Sequence, residues 1–452
     1  MSEPLSHLPP TQPPAARRVR VMICDDSPTV RGILARLLEV DPEIEVVARV
    51  ADGQQALNVL AEAQPEVVLL DLEMPVMDGM TALPRLLRAD SRLAVIVASA
   101  VTQRGAAEAM AALRAGASDY IPKPGAGRGG AADPVFRAEL LEKVKGWARM
   151  RRRTTAQLSP GVNIASPSRT SAPAVQAASN SAAPARSSQA GQAPSDEPSS
   201  CSAPPAALIS VSRSAPQAAI APTVSGVRPH VVASRPLQPA RPVQLRSPRS
   251  VQTPSLLAVG SSTGGPQALA AFLRGLTAVP PVPVVVVQHM PAGFTAMLAD
   301  HLDRLGAIRI AEAKDAEVLR AGHAYVAPGD RHLLVERAPA GLVARLRDDP
   351  PEHFCRPAVD PMLRSARQSC EGRVLAVILT GMGQDGLEGC RSLVASGGTV
   401  FAQDEASSVV WGMPGAVVRA GLAQEVLPPE RLGARTSAFL AGGSLQSGRM
   451  AL

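Results

Sequence analysis

Two stretches of the chain repeat one pattern: a short run of branched or small apolar residues, a turn, then a segment with apolar positions at helical spacing. In the first stretch, about Arg18 to Arg153, the runs are Val19–Cys24, Val46–Val50, Val67–Leu70, Ala94–Ala98 and the shorter Asp119–Ile121. Their apolar residues stand side by side rather than alternating, as expected of strands buried on both faces. Ser27 and Pro28 read as the N-cap and first residue of a helix running through Leu38, and a last helix is expected from about Pro134 to Arg151. Strands alternating with helices predict a doubly wound parallel sheet. In the second stretch, about Ser255 to Leu440, Leu256–Val259, Val284–Val287 and Val374–Leu379 follow the same rule and predict a second, mostly parallel sheet. The fold class expected is therefore α/β, with two such domains.

Between them lies a segment of different character. From about Thr154 to Pro254 it is mostly Ala, Ser, Pro, Gln and Val. Its recurring prolines forbid long helices and central strands. It offers too little large apolar surface to offset the entropy of ordering, so a disordered linker is expected. The boundaries expected are a tail over 1–17, domains over 18–150 and 254–445, and the linker over 151–253. A flexible chain of about 100 residues spans roughly 50–60 Å, so each domain stays within reach of the other.

Charge and cysteine usage narrow the function classes. The net charge is +7, but the stretch from Arg151 to Thr253 alone holds eleven Arg, no Lys and two acids, a balance of +9. The remainder sums to −2, so the two domains are not basic overall. Aromatics are only 2% of the chain, so no stacking residues accompany the arginines and no nucleic-acid site is expected. No apolar run approaches the roughly 20 residues of a membrane span. The start of the chain lacks the apolar core of a signal peptide. Five cysteines with no CxxC pair argue for a reducing, cytoplasmic setting.

The first domain places acids where its strands end. Asp25 and Asp26 follow the first run and Asp71 the third. Carboxylates gathered at neighbouring strand ends repel unless a hard cation joins them, and oxygen-only ligation suits Mg²⁺. One of them could then attack a phosphoryl donor. Ser99 ends the fourth run, and Lys123 follows the fifth, where its ammonium can pair with a phosphate. With Leu69-Leu-Asp-Leu-Glu-Met-Pro-Val-Met-Asp-Gly79 around Asp71, this region resembles a response-regulator receiver domain, of flavodoxin-like fold. The resemblance implies that Asp71 is the phosphoacceptor, served by a histidine kinase. It also implies that Asp25, Asp26, Asp71 and a carbonyl near Glu73 hold Mg²⁺, with Ser99, Tyr120 and Lys123 forming the phosphorylation switch.

The second domain carries an ordered trio. Gly260-Ser-Ser-Thr-Gly264 follows a strand and fits G-x-S-x-G, centring Ser262; Gln288-His289-Met290 and Leu379-Thr-Gly-Met-Gly-Gln-Asp385 follow later strands. A hydroxyl, a base and an orienting carboxylate are the parts of an acyl-transfer site. Gly381 and Gly383 leave nearby N–H groups free, making Met382 an oxyanion-donor candidate. In α/β-hydrolases the order is Ser, acid, His. No histidine follows His353, so that fold is disfavoured here, and no HExxH pair supports a zinc hydrolase.

These motifs, with Gly322-His-Ala-Tyr-Val-Ala-Pro-Gly-Asp-Arg-His332 and Gln403-Asp-Glu-Ala-Ser-Ser408, resemble the catalytic domain of chemotaxis protein-glutamate methylesterases. The resemblance implies a Rossmann-like serine hydrolase domain with Ser262 as nucleophile, His289 as base and Asp385 as its orienter, working without a cofactor. It implies methylated chemoreceptor helices as substrate, with deamidation of certain receptor glutamines. A receiver-controlled binding module without catalysis is the alternative; a receiver-controlled transcription factor would need a helix-turn-helix, and none is found.

Overall fold

The computed structural model describes residues 17–100, 102–124, 133–158, 245–246 and 253–442; the rest of the expected tail and the expected linker between 159 and 244 lie outside the described residues. The described residues belong to one compact unit, which holds both sheets.

The first domain runs β1 (Val19–Cys24), α1 (Pro28–Glu39), β2 (Ile44–Val50), α2 (Gly53–Ala63), β3 (Val67–Asp71), α3 (Gly79–Ala89), β4 (Ala94–Ser99), α4 (Gln103–Arg114), β5 (Asp119–Pro122) and α5 (Pro134–Leu158). Its five parallel strands lie in the order β2-β1-β3-β4-β5. The order reverses between β1 and β3, where ligands gather in such sheets. Helices α1 to α4 each open on a side-chain cap: Ser27, Asp52, Asp78 and Thr102 accept from the N–H of Val30, Gln55, Thr81 and Gly105. Each such cap contributes about 1 kcal/mol. Helix α5 runs on past Arg151. Its basic last turns are drawn onto the start of β3, where Arg152 meets both oxygens of the buried Glu66 at 2.7 Å.

The second domain runs β6 (Leu256–Ser261), α6 (Gly265–Arg274), β7 (Val284–Gln288), α7 (Phe294–Asp303), β8 (Arg309–Glu312), β9 (His323–Val326), β10 (His332–Ala338), β11 (Gly341–Arg347), α8 (Val359–Ser369), β12 (Val374–Ile378), α9 (Leu387–Ala395), β13 (Thr399–Gln403), α10 (Met413–Arg419), β14 (Glu425–Leu427) and α11 (Pro429–Leu440). Seven strands form a parallel sheet in the order β14-β13-β12-β6-β7-β9-β8. The antiparallel hairpin β10-β11 stands apart from it and is tied to α8, where Ser369 Oγ donates to Val335 O at 2.8 Å. The central strands β6, β7, β12 and β13 are buried throughout: Val284, Val285 and Val287 in β7 and Leu375 to Ile378 in β12 expose nothing measurable. Burying each such side chain contributes about 1.5–3 kcal/mol.

Candidate active site

Chain order around β6 sets the site. Successive crossovers place β7 on one side of β6 and β12 on the other, so three strands end together at the point where the order reverses. The turn after β6 carries Ser262, the residue after β7 is His289, and the loop after β12 carries Asp385.

The two serines of the turn are unequal. Ser261 is fully buried, and its hydroxyl donates to Gln288 Oε1 at 2.7 Å. The same Gln288 amide donates to Ser262 O at 2.9 Å, clamping the turn. Ser262 is half-buried, and its hydroxyl forms no hydrogen bond among the described residues. The close approach of the two loops needs Gly381, where a Cβ would come within 2.8 Å of Ser262 Cβ. Gly264 takes φ +72°, a left-handed conformation suited to glycine, and turns the chain into α6.

His289 and Asp385 meet directly, with Nε2 2.8 Å from Oδ2. Asp385 is fixed by two backbone donors at the start of α8, Val359 N–H at 2.6 Å and Asp360 N–H at 2.9 Å. Burial pushes its pKa up, but His289 and these amides outweigh that and hold the carboxyl below its ordinary value. Burial disfavours the charged ring of His289, yet its interactions with Cys355 and Asp385 prevail and hold its pKa up to about 10. The other ring nitrogen, Nδ1, lies 3.4 Å from Cys355 Sγ. No hydrogen bond joins Ser262 Oγ to His289 among the described residues. The N–H of Met382 has no acceptor among the described residues, while its side chain packs against the apolar cluster that includes Trp147 and Ala148 of α5 and Val409 and Val410.

Cys355 arrives by an unusual turn. Glu352 N–H donates to Cys355 O at 3.1 Å and Cys355 N–H to Glu352 O at 2.8 Å, while His353 and Phe354 between them have φ of 52° and 63°. Positive φ at both central residues is the type I′ geometry that Asn-Gly normally fills. Bulky residues held there store on the order of 1–3 kcal/mol each. Phe354 is 86% exposed at the tip.

In the first domain, carboxylate oxygens of Asp25, Asp26 and Asp71 all lie within 4.8 Å of one another. Lys123 Nζ sits 2.7 Å from Asp71 Oδ2. Burial, then the neighbouring Asp71, pushes the Asp25 pKa up; burial also raises that of Asp71, against the opposing pull of Lys123. Asp25 Oδ2 is buried with no hydrogen-bond partner, the mark of an oxygen suited to a cation. The donor set is all oxygen, so the residues fit Mg²⁺. Glu73 turns its side chain away to Arg104 at 3.5 Å, which leaves only its backbone for such a role. Ser99 Oγ donates to Gly105 O at 2.7 Å rather than facing Asp71.

Sequence reading missed the residues that join the two domains. The buried Asp119 accepts from Gly264 N–H at 3.1 Å with Oδ2, which also takes Trp147 Nε1–H at 3.2 Å. Its Oδ1 pairs with buried Lys143 at 3.5 Å. A carboxylate of the first domain therefore caps the helix that follows Ser262 in the second. Beside it, Tyr120 stacks on Phe294 with ring centroids 4.9 Å apart, and Gln267 Nε2 donates to Ala117 O at 3.0 Å. No local motif marks such contacts, because the partners are separated by some 145 to 174 residues.

Among the described residues, no helix is long and apolar enough to cross a membrane. The sequence profile of the CheB methylesterase family matches residues 257–436, and that of the response regulator receiver domain matches residues 21–128. A protein-glutamate methylesterase/protein-glutamine glutaminase of group 2 operon from Rhodospirillum centenum is 44% identical over 417 residues, 92% of each chain. A protein-glutamate methylesterase/protein-glutamine glutaminase from Azospirillum brasilense is 43% identical, across 94% of this chain and 93% of its own. The CheB methylesterase catalytic domain of Thermotoga maritima is 39% identical, covering 42% of this chain and all of that one with a TM-score of 0.40. With matches that run through both domains in one order, this chain belongs to the receiver-linked CheB family of protein-glutamate methylesterases/protein-glutamine glutaminases.

Proposed function

We propose that this chain is a cytoplasmic, phosphorylation-controlled esterase that removes methyl groups from γ-glutamyl esters on methyl-accepting chemoreceptors and deamidates receptor glutamines. The observation that carries the reading is the 2.8 Å contact of His289 Nε2 with Asp385 Oδ2, at strand ends on either side of the Ser262 turn. Ser262 Oγ attacks the ester carbonyl and His289 Nδ1 takes its proton. Asp385 holds the ring through Nε2 and stabilises its charge. The oxyanion lies at the free N–H of Met382. Methanol leaves with the proton held by His289, and water then releases the glutamate. With a glutamine substrate, ammonia leaves in its place. A binding module without catalysis is not favoured, since both curated relatives carry esterase names.

Asp71 is the proposed phosphoacceptor, with a histidine kinase as donor. Mg²⁺ would be held by Asp25, Asp26, Asp71 and the backbone at Glu73, and it supplies charge neutralisation for phosphoryl transfer. Lys123 pairs with the acceptor carboxylate and stands ready for the phosphoryl oxygens. Ser99 and Tyr120 form the switch pair, and Tyr120 touches Phe294 of the esterase domain directly.

The test of the activity is methanol release from receptor membranes carrying labelled methyl esters. Receptor binding without methanol release would reinstate the binding-module reading. The contacts at Gly264 and Gln267 predict how the receiver restrains the esterase. Asp119→Asn and Gln267→Ala each weaken one hydrogen bond across the joint, worth about 1 kcal/mol, and Asp119→Asn in addition leaves buried Lys143 with Glu139 alone, among the described residues, as its acidic partner, so its melting temperature should fall. The weakened hydrogen bond corresponds to a roughly fivefold change in the docking equilibrium. Basal methanol release by the full chain should therefore rise several-fold in each variant without a phosphodonor. Folded variants with unchanged basal rates would show that the joint does not restrain the esterase.

A further inference from the structure

An imidazole has two ring nitrogens, and both of those on His289 are engaged. Nε2 is held by Asp385, which cannot swing away because Val359 and Asp360 N–H groups anchor it. Nδ1 is therefore the atom left to receive a proton from Ser262, yet its neighbour is Cys355 Sγ at 3.4 Å, and the Ser262 hydroxyl has no hydrogen bond among the described residues. The thiol is delivered by a built feature. The Glu352–Cys355 turn is closed by two backbone hydrogen bonds, Arg364 grips Glu352, and His353 Nε2 meets Asp360 Oδ2 at 3.0 Å.

We propose that Cys355 is a positioning residue that competes with Ser262 for Nδ1 of His289 and keeps the resting base off the nucleophile until substrate displaces it. The proposal rests on the methylesterase reading of this site. The charged and titratable groups around the ring are Cys355 and Asp385 in contact with it, with Asp360, His353 and Arg364 behind them. Asp385 and Asp360 are tied to backbone amides of α8 and α9. Cys355 is thus the contact of the ring that can be removed while leaving the helix starts intact. The contacts with Cys355 and Asp385 favour the protonated ring, consistent with a His289 pKa held up to about 10. A protonated ring cannot accept the Ser262 proton, so the brake and the raised proton affinity have one origin.

The experiment is the pH profile of methanol release by the full chain, compared with Cys355→Ala and Cys355→Ser. In the wild type the rate should climb through the alkaline range. Both variants should shift that limb downward by about one pH unit or more, because neither presents a sulfur to Nδ1. At pH 7, kcat should rise several-fold with KM for the receptor unchanged. Superimposable profiles would overturn the proposal, as would a lower kcat at every pH in folded variants, which would make the thiol a helper. Should the alanine variant misfold, the serine variant carries the test. NMR titration of the His289 ring in wild type and Cys355→Ser gives a readout free of activity: a downward shift supports the proposal and an unmoved titration overturns it. A wild type that releases no methanol but shows the ring shift would sink the methylesterase reading alone.

Discussion

Ser262→Ala should abolish methanol release while the chain remains folded, and Ser261→Ala should retain most activity. The two hydroxyls are adjacent in sequence but opposite in circumstance. Ser262 is half-buried with an unengaged hydroxyl, whereas Ser261 is fully buried and spends its proton on Gln288. Removing the nucleophile of a Ser-His-Asp site costs on the order of 10⁶-fold in kcat. Removing the Ser261 hydroxyl leaves Gln288 Oε1 without its donor, at about 1–3 kcal/mol of stability. The penalty should therefore appear as a lower melting temperature in one variant and as lost turnover in the other. A dead Ser261→Ala beside a working Ser262→Ala would put the nucleophile at the wrong serine.

Asp71→Asn should block phosphoryl uptake from acetyl phosphate in Mg²⁺ completely, because the amide is not nucleophilic, and should leave the esterase at its basal rate. It should also stabilise the fold. Burial raises the folded-state pKa of both Asp25 and Asp71, and for Asp25 the neighbouring Asp71 adds to it. A raised carboxyl pKa means that the folded state binds the proton more tightly than the unfolded chain does. The associated stability is present at low pH and is lost as pH climbs from the ordinary carboxylate range through the folded values. At neutral pH without metal the cluster is thus under strain. Removing one charge should raise the melting temperature, and added Mg²⁺ should raise it more in the wild type than in Asp71→Asn. Phosphate accumulating on Asp71→Asn would remove Asp71 from the acceptor role.

Much of this was legible because parallel strands buried on both faces leave unbroken apolar runs, and chemistry sits where those runs stop. Asp25, Asp71, Ser262 and His289 are singled out by that rule, each at the end of a run or the residue after it, and their roles are proposals. Asp385 lies further along its loop and was carried by the glycines around it. Cys355 was illegible for the opposite reason. It sits in a turn beside no apolar run, and its partner is 66 residues away. Asp119 was read only as the start of a strand, since one side chain capping a helix in another domain leaves no periodic trace. The β10-β11 hairpin was unforeseen because its strands are partly exposed and belong to neither parallel sheet. Helix α5 ran longer than expected because Glu66, distant in sequence, rewards its arginines.

The carboxylate of Asp119 on the Gly264 N–H, with the Tyr120–Phe294 and Gln267–Ala117 contacts beside it, joins two equilibria. Coupling free energy has no direction: whatever factor phosphorylation of Asp71 contributes to opening the esterase, a receptor segment occupying the opened esterase returns to the receiver. A methylated receptor is then an effector as well as a substrate. By holding the two domains apart, it favours the receiver conformation that carries phosphate. Receptor membranes should accordingly increase the phosphorylated fraction of the full chain at a fixed, subsaturating level of phosphodonor, and a chain already lacking the Asp119 contact should respond less. Signal flow in this protein runs from kinase to ester, but its thermodynamics run equally from ester to kinase.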